Sequence, residues 1–91
     1  MKRIRVTISG LVQGVAFRQE TRKAALSLNL TGWVRNLPDG RVEAVFAGAD
    51  ESVAAMLSWC RKGPRLSRVR DVQVWEEAGS ESFDAFEIRY G

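Results

Sequence analysis

The segment from Gly10 to Arg18 constrains the fold of this chain more than any other stretch of the sequence. It reads Gly-Leu-Val-Gln-Gly-Val-Ala-Phe-Arg, and it lies between an alternating apolar run and a helical pattern. The two glycines allow a sharp turn that can point several backbone N–H groups inward. The pattern therefore predicts a strand that passes through a tight loop directly into a helix.

This loop contains the chemical groups that hold an oxyanion. The start of a helix carries free N–H donors and a partial positive charge, and Arg18 adds a guanidinium that suits phosphate or carboxylate. Similar turns with a nearby arginine also occur where nothing binds, so the residues alone leave both interpretations open. The sequence has neither the Gly-Lys-Ser/Thr of a Walker loop nor the G-x-G-x-x-G of a dinucleotide fingerprint.

Hydrophobic periodicity predicts the order of the elements along the 91 residues. The expected strands are 2–9, 32–37, 41–47, 69–74 and 86–90; the expected helices are 17–30, and a second one from an N-cap at Asp50 to a stop at Gly63-Pro64. Turns are expected at Pro38-Asp39-Gly40 and Ala78-Gly79-Ser80. The βαββαβ order predicts a ferredoxin-like α+β fold, one domain over residues 1–91, with an antiparallel sheet and two helices packed on one face.

Composition excludes several kinds of active site. The sequence has no histidine, so histidine cannot act as base or metal ligand, and its one cysteine, Cys60, has no intramolecular disulfide partner. A thiolate phosphatase loop needs an arginine six positions after the cysteine, where this chain has Leu66. Cys60 instead falls on the apolar stripe of a helix, and the aspartates are scattered, so no metal site is expected.

Charge and hydropathy narrow the partners and the location. The net charge of +3 is spread along the chain, which suits anionic small molecules and does not indicate a specific nucleic-acid partner. No apolar run reaches membrane-spanning length, and no signal-like segment follows Met1. We therefore expect a cytoplasmic monomer without a membrane partner.

Two motifs resemble those of the acylphosphatase family. Residues 12–18 (Val-Gln-Gly-Val-Ala-Phe-Arg) resemble its signature, and residues 32–36 (Gly-Trp-Val-Arg-Asn) with Asp39-Gly40 resemble its second motif. The stop at Gly63-Pro64 and the ending Phe86-x-Ile88-x-Tyr90 are also similar, so the resemblance spans nearly the whole chain. Ala16 stands at a position that varies in the family.

The resemblance implies hydrolysis of an acyl phosphate to a carboxylate and orthophosphate, without a metal or cofactor. It implies that Arg18 grips the phosphoryl oxygens, that Asn36 orients the attacking water, and that the loop contributes backbone N–H groups. Those groups belong to Gln13, Gly14, Val15, Ala16, Phe17 and Arg18. The implied partner is a small acyl phosphate, with phosphate and sulfate as competing anions.

Strand alternation indicates which face Asn36 occupies. Val34 and Asn36 share one face of their strand, whereas Trp33 and Arg35 share the other. If Val34 faces the helices, Asn36 does too, and Arg35 pairs with Trp33 on the open face. Buried amides usually have a structural role, so this pattern alone does not assign Asn36 to a site.

Two alternatives to a free-standing enzyme stay open at this point. The chain could be a non-catalytic βαββαβ module that binds anions or RNA, although residues 41–47 lack the aromatic pattern of RNA-recognition modules. It could also be a hydrolase fold that serves within a larger assembly. The presence of Asn36 together with Arg18 favours an enzyme, because binding phosphate requires only the arginine.

Overall fold

The computed structural model describes residues 1–77 and 82–90, and its elements follow the predicted segments in the order βαββαββ, which has one final strand more than the predicted βαββαβ. The strands are β1 (Lys2–Leu11), β2 (Thr31–Asn36), β3 (Val42–Gly48), β4 (Arg68–Glu76) and β5 (Phe86–Arg89). The helices are α1 (Phe17–Ser27) and α2 (Asp50–Lys62). The turn predicted at Ala78-Gly79-Ser80 lies outside the described residues.

The five strands form one mixed sheet in the order β4-β1-β3-β2-β5. The pairs β1–β4, β1–β3 and β2–β3 are antiparallel as predicted, but β5 runs parallel to β2, so the prediction of a wholly antiparallel sheet is wrong. β4 ends where Glu76 pairs with Ile4, and β5 begins where Phe86 pairs with Gly32. These pairs lie at one end of the sheet, where β1 and β2 both begin, so β5 runs in the direction of β2.

Both helices pack on one face of this sheet, as the alternation predicts. Alternate rungs of the antiparallel ladders contribute residues to that face, such as Ile4 with Phe46 and Val6 with Ala44. These side chains form a single buried cluster with the apolar stripes of the helices, which include Phe17 from α1 and Met56 from α2. None of the described helices lies on the other face of the sheet, which carries the intervening strand residues.

The helix ends differ from the predictions at two points. α1 ends at Ser27 rather than at Leu30, because Asn29 adopts a left-handed conformation with φ of 58°. α2 begins at Asp50, but its N-cap is the extended Ala49 and no side chain caps it, so the prediction of Asp50 as N-cap is wrong. Asp50 instead lies in the first turn, where the helix dipole favours a carboxylate.

The predicted end of α2 is confirmed at Gly63. This glycine has φ of 72°, and a Cβ atom on it would lie 2.4 Å from the Ser67 Oγ atom.

Among the described residues, no helix has the length and apolar character needed to cross a membrane.

Candidate active site

The loop between β1 and α1 begins at a β-bulge. The register of β1 against β4 shifts between Ser9 and Gly10, and Gly10 has φ of 126°. A Cβ atom on Gly10 would lie 2.1 Å from the Arg68 carbonyl oxygen, so only glycine allows the two strands to approach here. The bulge redirects the chain at the end of β1, and Gly14, with φ of 75°, completes the turn.

Phe17, the first residue of α1, holds the start of the helix against the core. Its ring is buried and meets the Trp59 ring edge-on, with centroids 5.7 Å apart. The Thr21 hydroxyl donates a 2.7 Å hydrogen bond to the Phe17 carbonyl, one turn earlier. Packing therefore determines where the helix begins, and with it where the loop amides lie.

The backbone amides at this helix start are available to a ligand. Ala16, the N-cap of α1, has φ of 59° and ψ of 27°, and no side chain caps the helix. In the described part of the chain, no amide from Gly14 to Arg18 donates to a carbonyl in the turns, loops or helix caps, whereas the Glu20 amide donates to the Ala16 carbonyl at 3.0 Å. The loop therefore presents unpaired donors at the positive end of a helix.

Arg18 projects from the first turn of α1 toward the end of β5. Its guanidinium carbon lies 4.9 Å from the centre of the Tyr90 ring. Among the residues that the structure describes, it has no carboxylate partner within 4.0 Å, unlike Arg5, Arg35 and Arg41. Because the ring contacts one face of the guanidinium, the in-plane N–H groups stay free to bind an anion.

Asn36 is the last residue of β2, and its position confirms the predicted face. It pairs with Val42, which in turn pairs with the buried Ile8, so Asn36 lies on the side of the sheet that carries the helices. Its Oδ1 atom is buried and has no hydrogen-bond donor among the described residues. A buried acceptor left unpaired costs about 1–3 kcal/mol, so this oxygen is suited to a donor that is not part of the chain.

Asn36 and Tyr90, the residue that Arg18 contacts, lie at the same end of the sheet, where β2 and β5 both end. Arg35 pairs with Arg89 in the parallel ladder, so the residues that follow them, Asn36 and Tyr90, come at the same level. A cavity of about 490 Å³ beside Asn36 is lined by Arg35, Asn36, Leu37 and Pro38, and none of these lining residues belongs to the β1–α1 loop. The structure thus places both predicted side chains at one end of the fold without joining them in one closed pocket.

Gln13 contributes a contact that sequence reasoning missed. Its Nε2 atom donates to the Leu37 carbonyl at 2.8 Å and to the Arg41 carbonyl at 2.9 Å. From the sequence, only the backbone amide of Gln13 is expected to contribute to the site. No local pattern identifies these acceptors, because they lie 24 and 28 residues further along the chain.

Two titratable side chains lie where the sequence predicted. Cys60 is fully buried in the core, and this burial raises the pKa of its thiol to about 12, so it is not a nucleophile. Asp39 lies in the hairpin turn, where hydrogen bonds from the Arg41 backbone and side chain hold the pKa of its carboxyl below the usual value. Within residues 1–77 and 82–90, no group of three or more His, Cys, Asp or Glu side chains could hold a metal ion.

On the face of the sheet opposite the helices, arginine side chains contact an aromatic ring and a carboxylate of the same sheet. Arg35 and Arg89 both lie over the Trp33 ring, at 5.3 and 4.9 Å, which confirms the predicted contact between Arg35 and Trp33. Arg35 is also held by Glu43, with Nη2 and Oε1 2.7 Å apart. The aromatic ring and its arginines thus contact one another on this face.

Comparison with known proteins agrees over nearly the full length. The sequence profile of the family described as Acylphosphatase matches residues 4–88. A curated acylphosphatase from Syntrophobacter fumaroxidans is 57% identical over 90 residues, which cover 99% of this chain and 93% of the relative.

Two solved structures extend this comparison to the fold. An acylphosphatase from Coxiella burnetii has 42% identity and a TM-score of 0.92, covering 97% of this chain and 92% of that one. Acylphosphatase from Bacillus subtilis has 34% identity and a TM-score of 0.94, covering 99% of this chain and 100% of that one. The chain therefore belongs to the acylphosphatase family, and it is a hydrolase that acts on the acid anhydride bond of acyl phosphates.

Proposed function

We propose that residues 1–91 form one acylphosphatase domain in which the β1–α1 loop and Arg18 hold the phosphoryl group and Asn36 orients the attacking water. The loop donors are the backbone amides from Gln13 to Arg18. The observation that carries this proposal is the buried, unpartnered Oδ1 atom of Asn36, at the end of the sheet toward which Arg18 projects. An acceptor in that state is suited to a water molecule that must be held in one orientation.

The substrate bond explains why so few side chains suffice. An acyl phosphate is a mixed anhydride, and its carboxylate leaves readily without protonation. Phosphoryl transfer proceeds through a loose transition state in which charge spreads over the equatorial oxygens, so positioning and electrostatic stabilisation dominate. Arg18 and the loop amides supply donors for these oxygens, and this requires neither a base nor a covalent intermediate.

Asn36 acts on the water and not on the phosphate. Its amide offers one acceptor and two donors and does not titrate, so it can orient the water but cannot deprotonate it. The water oxygen bonds to phosphorus as the bond between phosphorus and the acyl oxygen breaks, and a phosphoryl oxygen takes the proton. The products are a carboxylate and orthophosphate. A pH–rate profile that showed an essential enzyme base near neutrality would contradict this scheme.

Phosphate and sulfate have the oxygens that the loop is proposed to hold. We therefore expect both to compete with the substrate.

The cytoplasmic location and the monomeric state stay predictions, to be checked by cell fractionation and by sedimentation.

The experiment that tests the proposal is hydrolysis of benzoyl phosphate in the presence of EDTA. Arg18→Ala should lower kcat/KM by about a hundredfold or more, since removing one donor to the phosphoryl oxygens typically costs that much. Asn36→Ala should lower it by about a hundredfold, because the attacking water loses the group that orients it. Arg61→Ala, which removes an exposed arginine of α2, is the control and should be unaffected. Folded wild type that binds phosphate without turnover would instead identify a non-catalytic anion-binding module.

A further inference from the structure

The side-chain amide of Gln13 connects the β1–α1 loop to the hairpin between β2 and β3. The amide is partly buried, and its nitrogen donates to two carbonyls, those of Leu37 and Arg41, at 2.8 and 2.9 Å. A glutamine amide has two N–H groups, so both of its donors are used by the hairpin. The loop is thereby joined to the segment that follows Asn36.

The two acceptors are also the carbonyls that close the hairpin turn. The Leu37 amide donates to the Arg41 carbonyl at 2.8 Å, and the Gly40 amide donates to the Leu37 carbonyl at 3.2 Å. Each carbonyl therefore accepts one bond from within the turn and one from Gln13. Removing the Gln13 side chain leaves the turn closed but releases its attachment to the loop.

We infer that Gln13 is a positioning residue whose side chain holds the end of β2, and with it Asn36, at the correct separation from the phosphate-binding loop. This inference rests on the proposed function, because it needs Asn36 to act on a water and the loop to hold the phosphoryl group. Leu37 directly follows Asn36, so a bond to its carbonyl restrains the Asn36 backbone. Gln13 acts through the hairpin and needs no contact with the reacting atoms.

The first test separates positioning from phosphate binding. Gln13→Ala retains the backbone amide at residue 13, so the inhibition constant for inorganic phosphate should change less than about threefold. In contrast, kcat for benzoyl phosphate should fall by about ten- to a hundredfold, because a displacement of about 1 Å has this effect on a catalytic group. Gln73→Ala, which changes an exposed glutamine of β4, is the matched control. Parallel losses in kcat and phosphate affinity would overturn the inference.

A double-mutant cycle tests whether the effect passes through Asn36. If Gln13 acts by positioning Asn36, then Gln13→Ala should lower kcat by less than about twofold in an Asn36→Ala background. Equal losses in both backgrounds would show that Gln13 acts independently of Asn36 and would overturn the inference.

Gln13→Glu provides a second readout that does not depend on a cavity. An ionised carboxylate cannot donate to the two carbonyls and is repelled by them, whereas the protonated acid can donate one hydrogen bond. The kcat of this variant relative to wild type should therefore rise as pH falls through the side-chain pKa, at or above its usual value of about 4.3. A constant ratio across that range would contradict the inference.

Backbone NMR tests the attachment whether or not the protein turns over substrate. Gln13→Ala should shift the amide resonances of Asn36, Leu37 and Arg41, while Gln73→Ala should not. Unchanged hairpin resonances would overturn the inference. Wild type without turnover but with the hairpin shifts would show that the proposed function had failed and the attachment had not.

Discussion

Ala16 occupies a backbone conformation that favours glycine, and this defines a prediction at the scale of one residue. A left-handed conformation costs an L-residue about 1–2 kcal/mol, and glycine loses part of this advantage through the greater freedom of the unfolded chain. Ala16→Gly should therefore raise the free energy of unfolding by about 0.5–1 kcal/mol in urea titrations. Ala55→Gly, at an exposed position inside α2, should lower it by about 1 kcal/mol. A loss of stability in both variants would contradict this account of Ala16.

Cys60 provides a second prediction at this scale, because burial raises its pKa to about 12 from an ordinary value of 9.0. A thiol with a raised pKa in the folded state contributes stability that is fully present below pH 9.0 and is lost as pH rises toward 12. The unfolded chain releases its proton first, so unfolding becomes easier over that range. Cys60→Ala should remove this contribution to the alkaline loss of stability. In the native wild type, iodoacetamide at pH 8 should modify the thiol only at the rate of unfolding, and rapid native-state labelling would contradict burial.

At the residue scale, the sequence predicts local properties of the site but not the side-chain contacts between elements. The turn at the loop and the face of the sheet on which Asn36 lies could be predicted from the sequence, because turn chemistry and strand alternation are local properties. The proposed roles of Arg18 and Asn36 rested instead on the resemblance to a family. The side-chain role of Gln13 could not be predicted, since it depends on acceptors in another element. The sequence predicts Tyr90 only as the last residue of the final strand, whereas the structure places its ring against the Arg18 guanidinium.

At the scale of elements, the β2–β3 hairpin makes acid stability depend on Asp39. Its Oδ1 atom accepts from the Arg41 amide at 3.1 Å, and its Oδ2 atom accepts from the Arg41 side chain at 2.8 Å. These bonds lower the pKa of Asp39 below 3.8, so their contribution is present above that pH and is lost as pH falls through the folded-state pKa. Asp39→Asn keeps an acceptor for the Arg41 amide but cannot titrate. The acid limb of its stability curve, measured from pH 5 to 2, should be flatter than that of wild type, and an unchanged limb would exclude this role.

Predictions of the elements were correct where the signal lies within the element. Alternation identified β1 to β3, and the turn at Asp39-Gly40 identified the hairpin. Predictions of helix ends failed where the conformation of an adjacent residue sets the boundary. Asp50 is not the N-cap of α2, because the extended Ala49 occupies that position. α1 is shorter than predicted, because the left-handed Asn29 ends the helical conformation. Leu30, the last residue of the predicted helix, packs into the core beyond that point.

At the scale of the whole molecule, a buried ion-pair network lies on the face of the sheet opposite Asn36. Glu43 is 7% exposed on the face without helices, and it joins Arg5 and Arg35 at 3.0 and 2.7 Å across three strands. Glu43→Gln removes the charge from both pairs and should lower the free energy of unfolding by about 2 kcal/mol. Since Asn36 faces the opposite side, kcat should stay unchanged at temperatures where the variant is folded.

The control for this prediction is Glu87→Gln, an exposed position of β5 on the same face. Its free energy of unfolding should stay within about 0.5 kcal/mol of wild type. Thermal and urea unfolding, together with benzoyl phosphate hydrolysis, measure both quantities. A fall in kcat for folded Glu43→Gln would show that the two faces are coupled.

The sequence by itself determined the order of the elements, the face of the sheet on which each strand residue lies, and the groups able to hold an anion. Those properties depend on periodicity and turn chemistry within a few residues. Only the tertiary structure decided that β5 runs parallel to β2, that Tyr90 contacts Arg18, and that the Gln13 amide is bonded to the hairpin. These contacts join elements far apart in the sequence, and such partners are selected by how the whole chain packs, which no local pattern records.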